Sequence, residues 1–93
     1  MLRIDWTRQA LADLDRLEGF LFHKNPQAAA RAVLAIVDAA RQLTDFPDRG
    51  RLARDDYREL PVRFSNGGYI ILYQVAGNTV RIVRVRHMRE DQF

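Results

Sequence analysis

Cysteine is absent from this chain of 93 residues, so a disulfide scaffold and a thiolate zinc site are both excluded. The chain has only two histidines, His23 and His87, which argues against a histidine-bound structural metal. We therefore expect neither a metal nor a cofactor. Internal repeats and low-complexity segments are missing as well, and 47% of the residues are hydrophobic. This composition predicts one folded domain over residues 1–93.

Long apolar runs are also missing. No stretch approaches the roughly 18 apolar residues that a membrane-spanning helix requires. The first residues include Asp5 where a signal peptide would need an apolar run. The sequence therefore predicts a soluble cytoplasmic protein with no membrane partner.

Lysine is nearly absent, since all but one of the 15 basic residues are arginine. Residues 1–48 carry a net charge of −1 and residues 49–93 a net charge of +4. An arginine-rich genome would explain the choice of arginine, but it would not place the charge in one half. The planar guanidinium group matches phosphate and carboxylate groups. We therefore expect the C-terminal half to face an anionic partner, either nucleic acid or an acidic protein segment.

The first half of the chain has the apolar spacing of two helices that follow a short strand. Residues 2–6 alternate as a strand does, and Thr7 is placed to cap a helix. Asn25 and Pro26 have the residue types that begin a second helix. The break between the helices is short, which predicts an antiparallel helical hairpin. Its two apolar stripes are Ala10, Leu14, Leu17 and Leu21, and then Ala29, Val33, Ile36, Ala40 and Leu43.

From Tyr57 onward the apolar period changes to two, which indicates strands over residues 57–64, 69–75 and 79–87. Pro61 cannot donate a hydrogen bond to a neighbouring strand, so the first of these strands is predicted to be irregular or to lie at an edge on that side. Residues 52–56 are predicted to be an exposed loop. The fold is therefore predicted to be α+β in the order β-α-α-β-β-β. In this fold, the helical hairpin covers one face of a three-stranded antiparallel sheet and leaves the other face open.

The alternation of side chains assigns residues to these two faces. Tyr69 and Tyr73 share one face of their strand, and Ile70 and Leu72 share the other. One pair should therefore be core, and the other pair should line the open side. Arg84 and Arg86 are predicted to share a face with the apolar residues Val80 and Ile82. The basic end of that face would form an open groove for an acidic segment.

The succession of motifs resembles the RelE/ParE superfamily of type II toxins. The motifs are Ala10-Leu11-Ala12-Asp13-Leu14, Asn25-Pro26-Gln27-Ala28-Ala29, Phe46-Pro47-x-x-Gly50-Arg51, Tyr57-Arg58-Glu59-Leu60, and Gly68-Tyr69 through Tyr73-Gln74-Val75 followed by Val83-Arg84-Val85-x-His87. The resemblance implies a growth-arresting toxin, of the kind used in plasmid stabilization, that a cognate antitoxin holds inactive. A toxin–antitoxin heterotetramer is one assembly that it implies. The candidates for antitoxin binding are Arg84, Arg86, Arg58, Tyr69 and Tyr73.

The superfamily has two branches with different targets. The RelE-like branch cuts mRNA in the ribosome, and the ParE-like branch poisons DNA gyrase. A nuclease needs groups that transfer protons and stabilise a charged phosphate, which are roles suited to histidine and arginine. If the chain is a metal-independent nuclease, the catalytic candidates are His87, Arg89, Glu90, Arg63 and Arg58.

Four positions depart from the RelE-like pattern. Ile70 stands where that pattern has an arginine after Gly-Tyr, and Pro61 and Arg63 stand where it favours two lysines. Phe93 lies near the place of a terminal tyrosine but carries no hydroxyl group. We therefore favour the ParE-like branch, a gyrase inhibitor that is not an enzyme. A ribosome-dependent mRNA endonuclease and a non-toxic partner-binding module are the alternatives.

Overall fold

The computed structural model describes residues 1–90 and Phe93, and these form one α+β unit. The elements are β1 (Arg3–Trp6), α1 (Arg8–Phe22), α2 (Pro26–Gln42), β2 (Arg51–Arg54), β3 (Tyr57–Phe64), β4 (Gly67–Ala76) and β5 (Thr79–His87). Both helices lie on one face of the sheet, α1 over β5 and α2 over β3 and β4. No helix within the described residues is long and apolar enough to cross a membrane.

The caps predicted for the two helices are confirmed. The Thr7 hydroxyl oxygen accepts a hydrogen bond from the backbone N–H of Ala10 at 3.1 Å. The Asn25 side-chain oxygen accepts from the N–H of Ala28 at 3.1 Å, and Pro26 occupies the first position of α2. Each cap satisfies a backbone donor that has no partner within its helix. The short break between these capped helices makes α1 and α2 an antiparallel hairpin.

The sheet has five strands in the order β1-β5-β4-β3-β2, so the prediction of three strands was too low. It is also mixed, because β1 runs parallel to β5, with Ile4 opposite Val80. Parallel neighbours need a long crossover connection. Here the helical hairpin and three further strands separate β1 from β5 along the chain. Sequence spacing alone gave no indication of this pairing.

The prediction of a loop at residues 52–56 was wrong for its first part. Arg51–Arg54 forms β2, which pairs antiparallel with β3 through Arg51 opposite Glu59 and Arg54 opposite Tyr57. All four residues of β2 are exposed, so no apolar alternation marks them as a strand. The strand forms because the two-residue turn that begins at Asp55 reverses the chain and brings β3 alongside β2.

The core lies between the helices and the covered face of the sheet. Tyr69, Ile71 and Tyr73 of β4 all point into it, so the tyrosine pair is the buried pair. The other buried members are Ala10, Leu17, Ala32, Ile36, Ala40, Leu43, Leu60, Val62, Val80, Ile82 and Val85. Leu72, on the open side of β4, is also only 6% exposed.

An irregularity in β5 overturns the predicted face of its arginines. Leu72 pairs with Arg84 but the next residue, Tyr73, pairs with Ile82, so Val83 is an extra residue in β5. Such a bulge shifts the alternation of the side chains that follow it. Val85, and neither Arg84 nor Arg86, therefore continues the buried row of Val80 and Ile82.

Candidate functional site

A cleft of about 750 Å³ opens on the helix side of the sheet, between the C-terminal half of α1 and the β3–β4 turn. We call it the helix-side cleft. Its apolar wall consists of Leu17, Phe20, Leu21, Phe64 and Tyr69. Its polar rim consists of Arg16, Ser65, Asn66, His87, Arg89 and Glu90. Three of the five catalytic candidates, His87, Arg89 and Glu90, therefore border one concave surface.

The end of β5 fixes the orientation of the His87 ring. The ring packs edge-on against Tyr69, with centroids 5.4 Å apart. Its Nδ1 atom accepts a hydrogen bond from the backbone N–H of Arg89 at 3.0 Å. A neutral imidazole has one donor and one acceptor nitrogen, so Nε2 carries the proton. In this tautomer Nε2 is a hydrogen-bond donor.

Glu90 closes the C-terminal turn back onto α1. Its carboxylate accepts hydrogen bonds from the His87 N–H at 2.8 Å and from the Arg16 guanidinium at 2.9 Å. Partial burial raises the pKa of Glu90, but these hydrogen bonds and the Arg16 charge outweigh it, so the pKa lies below its ordinary value. Arg86 donates to the backbone carbonyl of Glu90 from the open side of the sheet. The turn is therefore held from both faces.

Arg84, a candidate for antitoxin binding, is engaged within the chain. Its guanidinium donates to both carboxylate oxygens of Asp13, at 2.8 and 3.1 Å. Asp13 is 4% exposed and also accepts from the backbone N–H of Val85 at 2.8 Å. Burial raises the pKa of Asp13, but the hydrogen bonds and the charges of Arg84 and Arg16 outweigh it and lower the pKa.

Arg58 and Arg63, the remaining catalytic candidates, are far from His87 or on the other face. Arg58 donates to the Gly50 carbonyl at 2.7 Å and lies 3.7 Å from the Asp48 carboxylate. Arg63 is exposed and alternates with the buried residue Val62, so it lies on the open face. The five catalytic candidates are therefore not brought together.

The two tyrosines proposed for antitoxin binding are buried. The Tyr73 hydroxyl donates to the Pro47 carbonyl at 2.7 Å and accepts from the Gly50 N–H at 2.8 Å. A Cβ atom at position 50 would lie 2.6 Å from the Tyr73 ring, which explains the glycine there. Burial raises the pKa of both Tyr69 and Tyr73. Tyr73 is fully buried, whereas Tyr69, 3% exposed, contributes to the wall of the helix-side cleft.

A second concave surface, about 520 Å³, lies on the opposite face of the sheet. We call it the open-face groove. Leu72 lines it beside Leu52 of β2, which is 61% exposed. Its charged residues are Arg51, Arg54, Glu59 and Arg86, and the Arg86 guanidinium lies 5.1 Å from the centre of the Phe93 ring. Of the arginines predicted to bind an antitoxin, Arg86 is the one that lines this groove.

Sequence reasoning missed Arg16 and Asp13 as parts of the site. Both lie on α1, and their partners Glu90 and Arg84 are 74 and 71 residues away along the chain. A charged residue within an amphipathic helix is predicted to face solvent unless the residue that it contacts in the folded protein is known. The apolar stripe next to Asp13 was the one available signal, because it showed which face of α1 meets the sheet.

Comparisons with known proteins place the chain in a family. The model of the "ParE toxin of type II toxin-antitoxin system, parDE" family matches residues 4–92. The Caulobacter vibrioides protein named Toxin RelE2 is 42% identical over 87 residues, covering 94% of this chain and 96% of that protein. Toxin RelE3 of the same organism is 37% identical over 90 residues, covering 97% and 98%.

Solved structures agree with this placement. The chromosomal ParDE toxin–antitoxin system from P. aeruginosa matches with a TM-score of 0.80 and 26% identity, covering 94% of this chain and 96% of that one. The toxin–antitoxin complex RelBE2 from Mycobacterium tuberculosis matches with a TM-score of 0.64 and 27% identity, covering 92% and 96%. The chain belongs to the RelE/ParE superfamily of type II toxins, within the family that the ParE model describes.

Proposed function

We propose that this toxin arrests growth by poisoning DNA gyrase, as the ParE-like branch does, and that it cleaves no RNA. The observation that carries the proposal is the separation of the groups that a nuclease would need. Arg58 and Arg63 are five residues apart in a regular strand, which spans roughly 17 Å and places them on opposite faces. One phosphate cannot contact both of them together with His87.

Among the residues that the structure describes, the one at the centre of the open face is Ile70, which is not basic. Ile70 pairs with Pro61 on one side and with Arg86 on the other, so the middle of this row is apolar. An isoleucine can neither bind a phosphate nor stabilise its developing charge. Arg86 and Arg63 border this row, but two separated arginines do not surround a phosphate as a pre-organised site must.

The hydrogen bonding of His87 also disfavours proton transfer. A general base in the helix-side cleft would need a free lone pair on Nε2, but Nδ1 is the acceptor nitrogen and is occupied by the Arg89 N–H. The similarity to ParDE, at a TM-score of 0.80 against 0.64 for RelBE2, supports the same branch.

A ribosome-dependent mRNA endonuclease is the second candidate function. The relatives with 42% and 37% identity are named RelE toxins, and His87, Arg89 and Glu90 border one cleft. A third candidate is a module that binds its partner without being toxic. The three candidates make different predictions about what happens in cells that produce the chain alone.

We further propose that a cognate antitoxin neutralises the toxin in the cytoplasm by covering the open-face groove. The similar structures are toxin–antitoxin complexes. Arg51, Arg54 and Arg86 give this groove an excess of positive charge over Glu59. An extended acidic segment would complement both the charge and the apolar floor at Leu72. Arg84 contributes little to this surface because Asp13 already binds it.

The test is expression of the chain without antitoxin in bacteria that carry a reporter of DNA damage. We expect induction of the reporter and filamentous cells while bulk mRNA stays intact, and we expect co-expressed antitoxin to restore growth. Rapid mRNA cleavage that depends on translation, without DNA damage, would support the endonuclease instead. Normal growth with abundant folded protein would support the non-toxic module.

A further inference from the structure

The free toxin contains an anion site that its own C-terminal turn occupies. The site consists of the Arg16 guanidinium on α1 and the backbone N–H of His87 at the end of β5. The Glu90 carboxylate fills it with contacts of 2.9 Å to Arg16 Nη1, 3.4 Å to Arg16 Nη2 and 2.8 Å to His87 N. Two donors from elements distant in sequence therefore converge on one carboxylate.

The contact between Glu90 and Arg16 is exposed enough to be exchanged. The Arg16 side chain is 48% exposed and that of Glu90 is 38% exposed. Exposed ion pairs contribute little to stability because water and salt compete for both charges. The turn has other contacts besides this one, since the Met88 N–H donates to the Gly68 carbonyl at 3.0 Å and Arg86 binds the Glu90 carbonyl. The carboxylate can therefore leave Arg16 while the end of β5 stays in place.

An apolar surface lies directly beside the anion site. Phe20, one helical turn after Arg16, is 67% exposed and borders the helix-side cleft with Leu17 and Phe64. Burying such an aromatic side chain in a partner interface is favourable, whereas exposing it to water is not. An acidic side chain in the cleft can therefore pair with Arg16, and apolar residues next to that side chain can pack on Phe20.

We infer that Glu90 is an internal stand-in for a carboxylate of the antitoxin. An acidic residue of the antitoxin replaces Glu90 on Arg16, and the apolar residues beside it pack on Phe20 in the helix-side cleft. The charged residues of this cleft are Arg16, Arg89 and Glu90, so its rim becomes more positive once Glu90 is displaced, which favours an acidic partner. This inference rests on the proposed antitoxin, and it adds a second contact on the face opposite the open-face groove.

A double-mutant cycle measured by calorimetry with the purified cognate antitoxin tests this inference. Glu90→Gln removes the competing charge, so we expect the antitoxin to bind about two- to fivefold more tightly. Arg16→Gln should weaken binding at least tenfold, because the antitoxin carboxylate loses its partner. In the Arg16→Gln background, Glu90→Gln should give no further gain. Unchanged or weaker binding by Glu90→Gln, or the same gain in both backgrounds, would overturn the inference.

Matched controls separate this site from general effects of charge and hydrophobicity. Asp38→Asn removes a carboxylate from an exposed pair with Arg41 and should leave the affinity within twofold. Phe20→Ala should weaken binding at least tenfold, whereas Leu34→Ala, at a residue with 65% exposure on α2, should not. If Arg16→Gln fails to fold, Arg16→Lys keeps the charge without the planar fork and should still weaken binding severalfold.

The outcomes also distinguish this inference from the proposed function. Tight binding that depends on Arg86 but not on Arg16 or Phe20 would contradict the inference about Glu90 and would still support the proposed antitoxin. Absence of antitoxin binding by the folded wild-type toxin would contradict both.

Discussion

His87 is the residue at which the two possible mechanisms differ most. In a gyrase poison it transfers no proton, so a polar side chain of similar reach can replace it. We predict that His87→Gln remains toxic, since glutamine can keep an acceptor near the Arg89 N–H that Nδ1 now binds. The measurement is colony formation after induction, with the amount of folded protein checked in parallel.

A nuclease would respond differently. Loss of a general acid or base costs about 10²–10⁴-fold in rate, which would turn a lethal toxin into a harmless one. Normal colonies from a folded His87→Gln protein would therefore contradict the gyrase assignment and favour RNA cleavage.

Gly68 and Gly19 give opposite predictions for the same substitution. Gly68 has a φ of +151°, and a Cβ atom there would lie 2.1 Å from the Val62 carbonyl oxygen. Gly68→Ala should therefore separate β3 from β4 and lower the free energy of unfolding by about 2–4 kcal/mol. Gly19 is within α1 with no atom near its Cβ position, so Gly19→Ala should raise it by up to about 1 kcal/mol. Denaturant unfolding of both variants checks this, and a Gly68→Ala protein as stable as wild type would show that the strands are not in this register.

At the scale of elements, a buried carboxylate attaches α1 to β5. Strand β1 ends opposite Ile82. Beyond that point, residues at the start of α1 and within it make hydrogen bonds to the edge of β5. The Thr7 hydroxyl donates to the Val83 carbonyl at 2.8 Å, and Asp13 accepts from the Val85 N–H. The helix thus replaces a strand where the bulge at Val83 disturbs the ladder.

This attachment should depend on pH. Because the pKa of Asp13 in the folded state lies below its ordinary value of 3.8, its stabilisation is complete above that value and is lost as the pH falls through the folded pKa. We predict that Asp13→Asn lowers the free energy of unfolding by about 1–3 kcal/mol at neutral pH. The difference should begin to shrink below about pH 4, where the carboxyl of the unfolded chain takes up its proton, and should go on shrinking until the pH has fallen through the lower pKa of the folded state. Unfolding curves at several pH values measure it.

Asp38→Asn is the matched control, because that carboxylate is exposed and 4.0 Å from Arg41. It should change stability by no more than a few tenths of a kcal/mol. An Asp13→Asn protein whose deficit stayed constant from pH 7 to pH 3 would contradict an ionised Asp13 in the folded state.

Local signals predicted the two helices and the presence of β1, but they gave neither β2 nor the parallel pairing of β1 with β5. Thr7, Asn25 and Pro26 act within one helical turn, so the sequence alone shows where each helix begins. Strand β2 is exposed throughout and exists through its pairing with β3, and β1 depends on β5 at the other end of the chain. The extra residue Val83 shifts an alternation that is otherwise regular, and no residue type marks it.

At the scale of the whole molecule, the C-terminal turn lies between the helix-side cleft and the open-face groove. Arg86 holds it from the open face and Arg16 holds it from the helix side, both through Glu90. The sequence predicted a basic C-terminal half and placed His87, Arg89 and Glu90 at a strand end. It could not predict which charges the fold would neutralise internally, because Asp13 and Arg84 meet only after α1 packs on β5.

The most direct test of the gyrase assignment is a supercoiling and cleavage assay with purified gyrase, plasmid DNA, ATP and this toxin. We predict that supercoiling falls, that gyrase-linked cleaved DNA accumulates with toxin concentration, and that added antitoxin prevents both. Undisturbed supercoiling, together with cleavage of ribosome-bound mRNA by the same preparation, would contradict it.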